Sequence, residues 1–72
     1  MNYYLNQNQQ RNGDYEVHKT VGCSHPAESE NQLPLGSFND CFAAVAAAKA
    51  KYSGHAHLIN GCFYCSNRCH TT

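Results

Sequence analysis

The cysteine and histidine content constrains this chain more than any other feature. Five cysteines and five histidines occur in 72 residues, alongside three phenylalanines, five tyrosines and no tryptophan. A domain of this size buries too small a share of its surface to rely on an apolar core alone, so a cross-link or a metal ion often stabilises it. The sequence therefore predicts one small domain, residues 1–72, that is held together through its cysteines.

The densest cysteine cluster lies near the end of the chain, where Cys62 and Cys65 form a C-x2-C pair. In a tight turn, such a pair directs two thiolates toward one tetrahedral zinc ion. Gly61 directly precedes the pair and suits a sharp change of backbone direction. The pair thus predicts a structural Zn²⁺ site that needs two further ligands from elsewhere in the chain.

Two sets of further ligands are compatible with the sequence. The first choice adds His18 and Cys23, because one segment that leaves a predicted strand then supplies both at little entropic cost. The alternative keeps Cys23 and replaces His18 by Cys69, and His70 is a weaker candidate. The predicted ligand set consists of His18, Cys23, Cys62 and Cys65.

The competing interpretation of Cys62 and Cys65 is a disulfide or redox pair. An odd cysteine count favours metal binding, as does the start of the chain, which lacks the basic and apolar regions of a signal peptide. These features predict a reducing, cytoplasmic location. Cys41 falls within the predicted helix, in step with its apolar stripe, and is expected to be a plain core side chain.

The rest of the pattern predicts a small α+β fold with an N-terminal β-hairpin, one α-helix and a C-terminal zinc knuckle. Residues 2–6 and 15–18 have the tyrosine, leucine and valine content of short strands. The Asn12-Gly13 step between them favours a type I′ turn. Residues 33–36 are a candidate third strand.

One helix is predicted at residues 38–52, which are rich in alanine and contain neither glycine nor proline. Ser37 and Asp40 have the spacing of a capping box, which places the N-cap at Ser37. Gly54 is placed to end the helix. Residues 55–60 are then expected to be a linker into the cysteine cluster.

Charge and length limit the function classes. Five basic and five acidic residues give zero net charge, and no basic cluster is present to displace counterions from a phosphate backbone. No apolar run approaches the ~20 residues that span a bilayer. A short chain has little room for a substrate pocket, and a four-ligand zinc site has no open position for catalysis. The sequence predicts a monomeric binding or adaptor module with an unidentified protein or nucleic-acid partner, and favours neither membrane association, nor a small-molecule substrate, nor enzymatic activity.

The order of these motifs resembles the Ada-type metal-binding domain, the zinc-bearing N-terminal module of the Ada DNA-repair protein that recurs in small bacterial proteins. The resemblance covers residues 15–65 and is carried by four segments: Val17-His18, Cys23, residues 35–38 leading into the helix, and residues 61–65. It implies zinc held by the pairs His18/Cys23 and Cys62/Cys65.

In the repair protein, the first thiol of the first pair accepts a methyl group from DNA. His18 stands at that position here. The resemblance therefore implies an alternative function as a thiol methyl acceptor, with Cys23 as the thiolate, or as a nucleic-acid-binding domain without chemistry.

Overall fold

The computed structural model describes residues 1–71 and contains a four-stranded mixed sheet and one main helix. The strands are β1 (Asn2–Asn6), β2 (Tyr15–Lys19), β3 (Gln32–Ser37) and β4 (Ile59–Gly61), and the helix α1 is Cys41–Lys51. In the order β3-β1-β2-β4, β1 runs antiparallel to both neighbours, whereas β2 and β4 are parallel. The predicted α+β class is confirmed.

The connection between β1 and β2 differs from the predicted type I′ turn. The carbonyl of Gln10 accepts a hydrogen bond from the N–H of Gly13, and the N–H of Gln10 donates to the carbonyl of Asp14. Gly13 has φ of +96°, but no non-glycine residue among residues 1–71 has a positive φ. A type I′ turn needs positive φ at both central residues, so Asn12 does not take the predicted role.

Helix α1 begins later than predicted. The Asp40 carboxylate accepts a hydrogen bond from the N–H of Ala43 at 2.9 Å, so Asp40 is the N-cap. Ser37 instead ends β3, and the next residue, Phe38, donates its N–H to the carbonyl of Met1. Strand pairing with the N-terminus thus keeps Ser37 extended and moves the start of the helix to Cys41.

The segment after α1 is also more ordered than a linker. The helix ends at Lys51 with Tyr52 as its C-cap, before the predicted stop at Gly54. Ser53–Leu58 forms a 3₁₀ helix, and the chain then enters β4 beside β2. None of the helices within residues 1–71 has the length and hydropathy needed to cross a membrane.

The sheet presents two different faces, because successive side chains of a strand point to opposite sides. The helix-covered face packs on α1 and forms the core, which consists of Tyr3, Leu5, Val17 and Ile59 from the sheet together with Cys41, Ala44, Ala48 and Cys69. Tyr4 and His18 alternate with these residues, and their rings stack with centroids 5.1 Å apart. We call their side of the sheet the cluster face.

A disulfide between Cys41 and Cys69 closes the helix-covered face. It joins the first residue of α1 to the short 3₁₀ helix Asn67–Cys69. Cys41 is buried as expected, but the prediction of a plain core side chain is wrong because its sulfur is bonded. Burial alone did not distinguish a packed thiol from a cross-linked one.

Candidate metal centre

Four side chains converge on the cluster face where β2 ends. The ligand atoms of His18, Cys23, Cys62 and Cys65 all lie within 4.8 Å of one another. They come from three separate segments: the strand β2, the loop after it, and the turn that follows β4. The structure therefore brings together the four residues that were predicted as ligands, in a group that could hold a metal ion.

Three of the separations between ligand atoms in this group are close to those of a tetrahedral site. Nδ1 of His18 lies 3.4 Å from Sγ of Cys23 and 3.8 Å from Sγ of Cys65, and the Sγ atoms of Cys23 and Cys62 are 3.9 Å apart. Zinc bonds of about 2.0–2.3 Å in tetrahedral geometry place neighbouring ligand atoms roughly 3.5–3.8 Å apart. One ion at the centre would thus contact all four side chains with small adjustments.

The three sulfurs of the group are free thiols in the structure. Cys62 and Cys65 therefore do not form the disulfide that was the competing interpretation. Soft sulfur donors with one imidazole are a donor set typical of structural zinc sites.

His18 lies in an inner strand of the sheet. It lies in β2 opposite Tyr4 of β1, it is 2 % exposed, and the stacked Tyr4 ring covers it. Burial lowers the pKa of His18 below its usual value, so the imidazole is neutral at neutral pH. A neutral imidazole is the form that binds metal.

The C-x2-C turn is anchored to β2 on both sides of the site. The N–H of Cys62 donates to the carbonyl of Val17 at 2.9 Å, and the N–H of Ser66 donates to the carbonyl of Cys62 at 2.8 Å. The N–H of Lys19 donates to Sγ of Cys65 at 3.3 Å. Backbone N–H groups that point at sulfur stabilise a thiolate.

Gly61 is required at this turn for a reason that the sequence did not reveal. A Cβ at this position would lie 2.7 Å from both Cβ of Cys69 and the carbonyl oxygen of Ser66. The residue ends β4 and does not have a positive φ. Close packing of the chain, rather than a special backbone conformation, therefore excludes a side chain.

The loop that carries Cys23 is attached to the same aromatic residue that covers His18. The N–H of Ala27 donates to the Tyr4 hydroxyl oxygen at 3.0 Å, and the Gln32 amide donates to the Ala27 carbonyl at 2.9 Å. Cys23 itself is half-buried, whereas Cys62 is buried. Tyr4 thus stacks on His18 and also binds the loop that follows Cys23.

A bound metal ion would displace protons from the thiols of Cys62 and Cys65. Burial raises the pKa of Cys62, and backbone hydrogen bonds from Cys65 and Tyr64 lower it in part. Burial, followed by the hydrogen bond with Cys23, raises the pKa of Cys65. Both thiols are therefore protonated at neutral pH without an ion, and a bound cation would displace those protons.

The alternative candidates lie outside this group. Cys69 is bonded to Cys41, so the ligand set that contained Cys69 is not the one that the fold brings together. Nδ1 of His70 donates to the carbonyl oxygen of Gly61 at 2.9 Å.

Sequence reasoning missed Glu16, which lies beside His18. Its Oε1 is 3.7 Å from Nε2 of His18. Alternation along the strand could have indicated it, because residues two apart share a face.

No protein-family model, curated protein or solved structure matches this chain. The resemblance to the Ada-type domain stays a prediction from the order of the motifs.

Proposed function

We propose that this chain is a structural zinc-binding module in which one Zn²⁺ is held by His18, Cys23, Cys62 and Cys65. The observation that carries the proposal is the convergence of these four ligand atoms within 4.8 Å. Three thiolates and one imidazole fill the four positions of a tetrahedral ion, which leaves no open position for substrate. The site therefore serves the fold rather than a reaction.

The small apolar core gives a bound metal ion a structural role. The largest fully buried side chains are Tyr4, Val17 and Cys62, and the helix contributes mainly alanines to the core. Structural zinc contributes roughly 10–16 kcal/mol of apparent binding free energy in finger-type peptides. That exceeds the net stability of about 5–15 kcal/mol of many whole domains. Zinc that joins three segments of this chain would thus supply most of what its core lacks.

The module would act by presenting a surface to a macromolecular partner. Phe63 and Tyr64, the two residues between the paired cysteines, are 52 % and 59 % exposed. A metal-anchored turn holds such aromatic side chains in place, and exposed apolar groups of this size are common at binding surfaces. A protein partner fits a chain with zero net charge better than a nucleic acid does.

One observation favours a second candidate function, the thiol methyl acceptor. Cys23 and Cys65 are half-buried, while Cys62 is buried, so a zinc-bound Cys23 thiolate would be accessible to an electrophile. Its sulfur would attack the methyl carbon of a phosphotriester, whose C–O bond breaks as the phosphodiester leaves. Incubation with methylphosphotriester DNA would test this role: a methyl-group mass increase on Cys23 supports it, and an unmodified chain excludes it.

Cobalt substitution tests the ligand set directly. The charge-transfer band of Co²⁺ grows with the number of thiolates, so we expect a three-sulfur spectrum and one metal ion per chain. Cys62→Ser and Cys65→Ser should each lose the metal, and His18→Ala should alter the spectrum. The matched control is the Cys41→Ala/Cys69→Ala double variant, which should keep both spectrum and stoichiometry. A metal-free wild-type protein in excess Zn²⁺, or a four-sulfur spectrum, would overturn the assignment.

A further inference from the structure

The two ring nitrogens of His18 have different surroundings. Nδ1 faces the sulfurs of Cys23 and Cys65. Nε2 is buried and has no hydrogen-bond partner among residues 1–71. A buried N–H without an acceptor is unfavourable, and a neutral imidazole that binds metal through Nδ1 carries its proton on Nε2. Metal binding at Nδ1 therefore creates a buried donor that needs an acceptor.

The carboxylate of Glu16 is the acceptor placed for it. Its Oε1 lies 3.7 Å from Nε2 of His18, longer than a hydrogen bond but within ion-pair distance. Glu16 precedes His18 by two residues in β2, so both side chains extend from the cluster face. A small rotation of the flexible glutamate side chain would close the remaining gap.

Glu16 is also partly removed from solvent. Its side chain is 18 % exposed. A half-buried carboxyl group is costly unless it finds a donor, and Nε2–H of His18 is such a donor. His18 thus supplies a hydrogen-bond donor and Glu16 supplies the acceptor.

We propose that Glu16 is a positioning residue of the metal centre: it accepts a hydrogen bond from Nε2–H of His18 and so holds the imidazole in the tautomer and orientation that present Nδ1 to the metal. The inference rests on the proposed zinc site. Metal-bound histidines commonly donate their second nitrogen to a carboxylate, which also makes the ligating nitrogen more basic. Glu16 acts through His18 and does not touch the ion.

Two variants separate the effect of the Glu16 charge from the effect of its hydrogen-bond-accepting oxygen. Glu16→Ala removes both, whereas Glu16→Gln keeps an acceptor oxygen. Glu30→Gln, at an exposed site in the 3₁₀ helix Ser29–Asn31, is the matched control. Competition with a chelator should show zinc affinity reduced about tenfold to a hundredfold in Glu16→Ala, less in Glu16→Gln, and unchanged in Glu30→Gln.

A tautomer measurement on the zinc-bound wild-type protein distinguishes positioning from a merely structural role. Long-range ¹H–¹⁵N correlations should show Nδ1 of His18 bound to metal and a slowly exchanging proton on Nε2, whose exchange quickens in Glu16→Gln. Zinc bound through Nε2 would overturn the inference even if Glu16→Ala fails to fold, as would a Glu16→Ala affinity equal to that of Glu30→Gln. In both cases the zinc site itself would stand. A wild-type chain that binds no zinc would instead overturn the proposed function.

Discussion

Both faces of the sheet carry cysteine sulfur atoms, but in different arrangements. On the helix-covered face, a covalent bond between Cys41 and Cys69 joins two segments 28 residues apart. On the cluster face, three free thiols and one imidazole approach one another without any bond. The first face is closed by a covalent bond, whereas the second gathers free thiols that a bound cation could hold together. One chain thus places its sulfur atoms in two arrangements, a covalent bond and a group of free thiols.

The two faces also differ in how tightly they are packed. Ala44 and Ala48 are fully buried, so α1 approaches the sheet closely with small side chains. On the cluster face, which α1 does not cover, a loop is attached to the sheet through the Tyr4 hydroxyl. Loops with few buried apolar contacts are the parts of a fold that open most readily. We therefore expect the cluster face to be the more condition-dependent part of the molecule.

Metal removal should have the largest effect. Chelation at neutral pH, with the disulfide intact, should melt sheet and helix together, because the roughly 10–16 kcal/mol that structural zinc contributes exceeds what one disulfide can replace. Circular dichroism and amide NMR dispersion during titration with a chelator would measure this. The control is the same titration with excess Zn²⁺ restored. A metal-free protein with a cooperative thermal transition would show that the helix-covered face is sufficient alone.

Removal of the disulfide should have a smaller effect. The Cys41→Ala/Cys69→Ala variant should lose roughly 3–4 kcal/mol of unfolding free energy, as the loop-closure relation gives for this separation. Denaturant unfolding of the zinc-bound form would measure the loss. Zinc stoichiometry should remain one ion per chain. Loss of the metal in this variant would show that the two faces are energetically one unit.

The next effect concerns the cluster face alone and is the pH dependence of its zinc affinity. Because burial raises the pKa of Cys62 and of Cys65, both thiols hold their protons at neutral pH, and zinc must displace them. Affinity should therefore rise with pH, and the protons of Cys62 and Cys65 alone account for about a hundredfold per pH unit, equivalent to about 2.7 kcal/mol. Calorimetry in buffers of different ionisation enthalpy would count the protons, and release of none would contradict the raised pKa values.

The smallest expected effect is that of Tyr4→Phe. The variant keeps the ring that stacks on His18 but removes the hydroxyl that accepts from Ala27. We expect a loss of about 1 kcal/mol in the unfolding free energy of the zinc form. Tyr3→Phe, on the helix-covered face, is the matched control and should change stability less. Equal losses in both variants would mean that the loop anchor does not matter.

Much of the candidate site was readable from the sequence, because its signals are local. The C-x2-C spacing of Cys62 and Cys65 places both sulfurs in one turn, whatever the rest of the chain does. Alternation and residue type were sufficient to locate β1 and β2, and alanine content was sufficient for α1. His18 and Cys23 followed because they leave the same strand.

Other features were decided only by contacts between distant residues. Asp40 rather than Ser37 caps α1, since pairing with the N-terminus keeps Ser37 extended. Neither the three-residue strand β4 nor its parallel pairing with β2 leaves a signal in a segment that short.

The chain by itself therefore indicated which residues form the candidate metal centre and where β1, β2 and α1 lie, because spacing and periodicity act over a few neighbouring residues. The tertiary structure alone decided how the five cysteines divide between a bond and a cluster. Cys69 lies only four residues after Cys65, yet its sulfur bonds to Cys41 across the helix-covered face. Connectivity of this kind depends on which side of the sheet each segment reaches, and no local pattern encodes that.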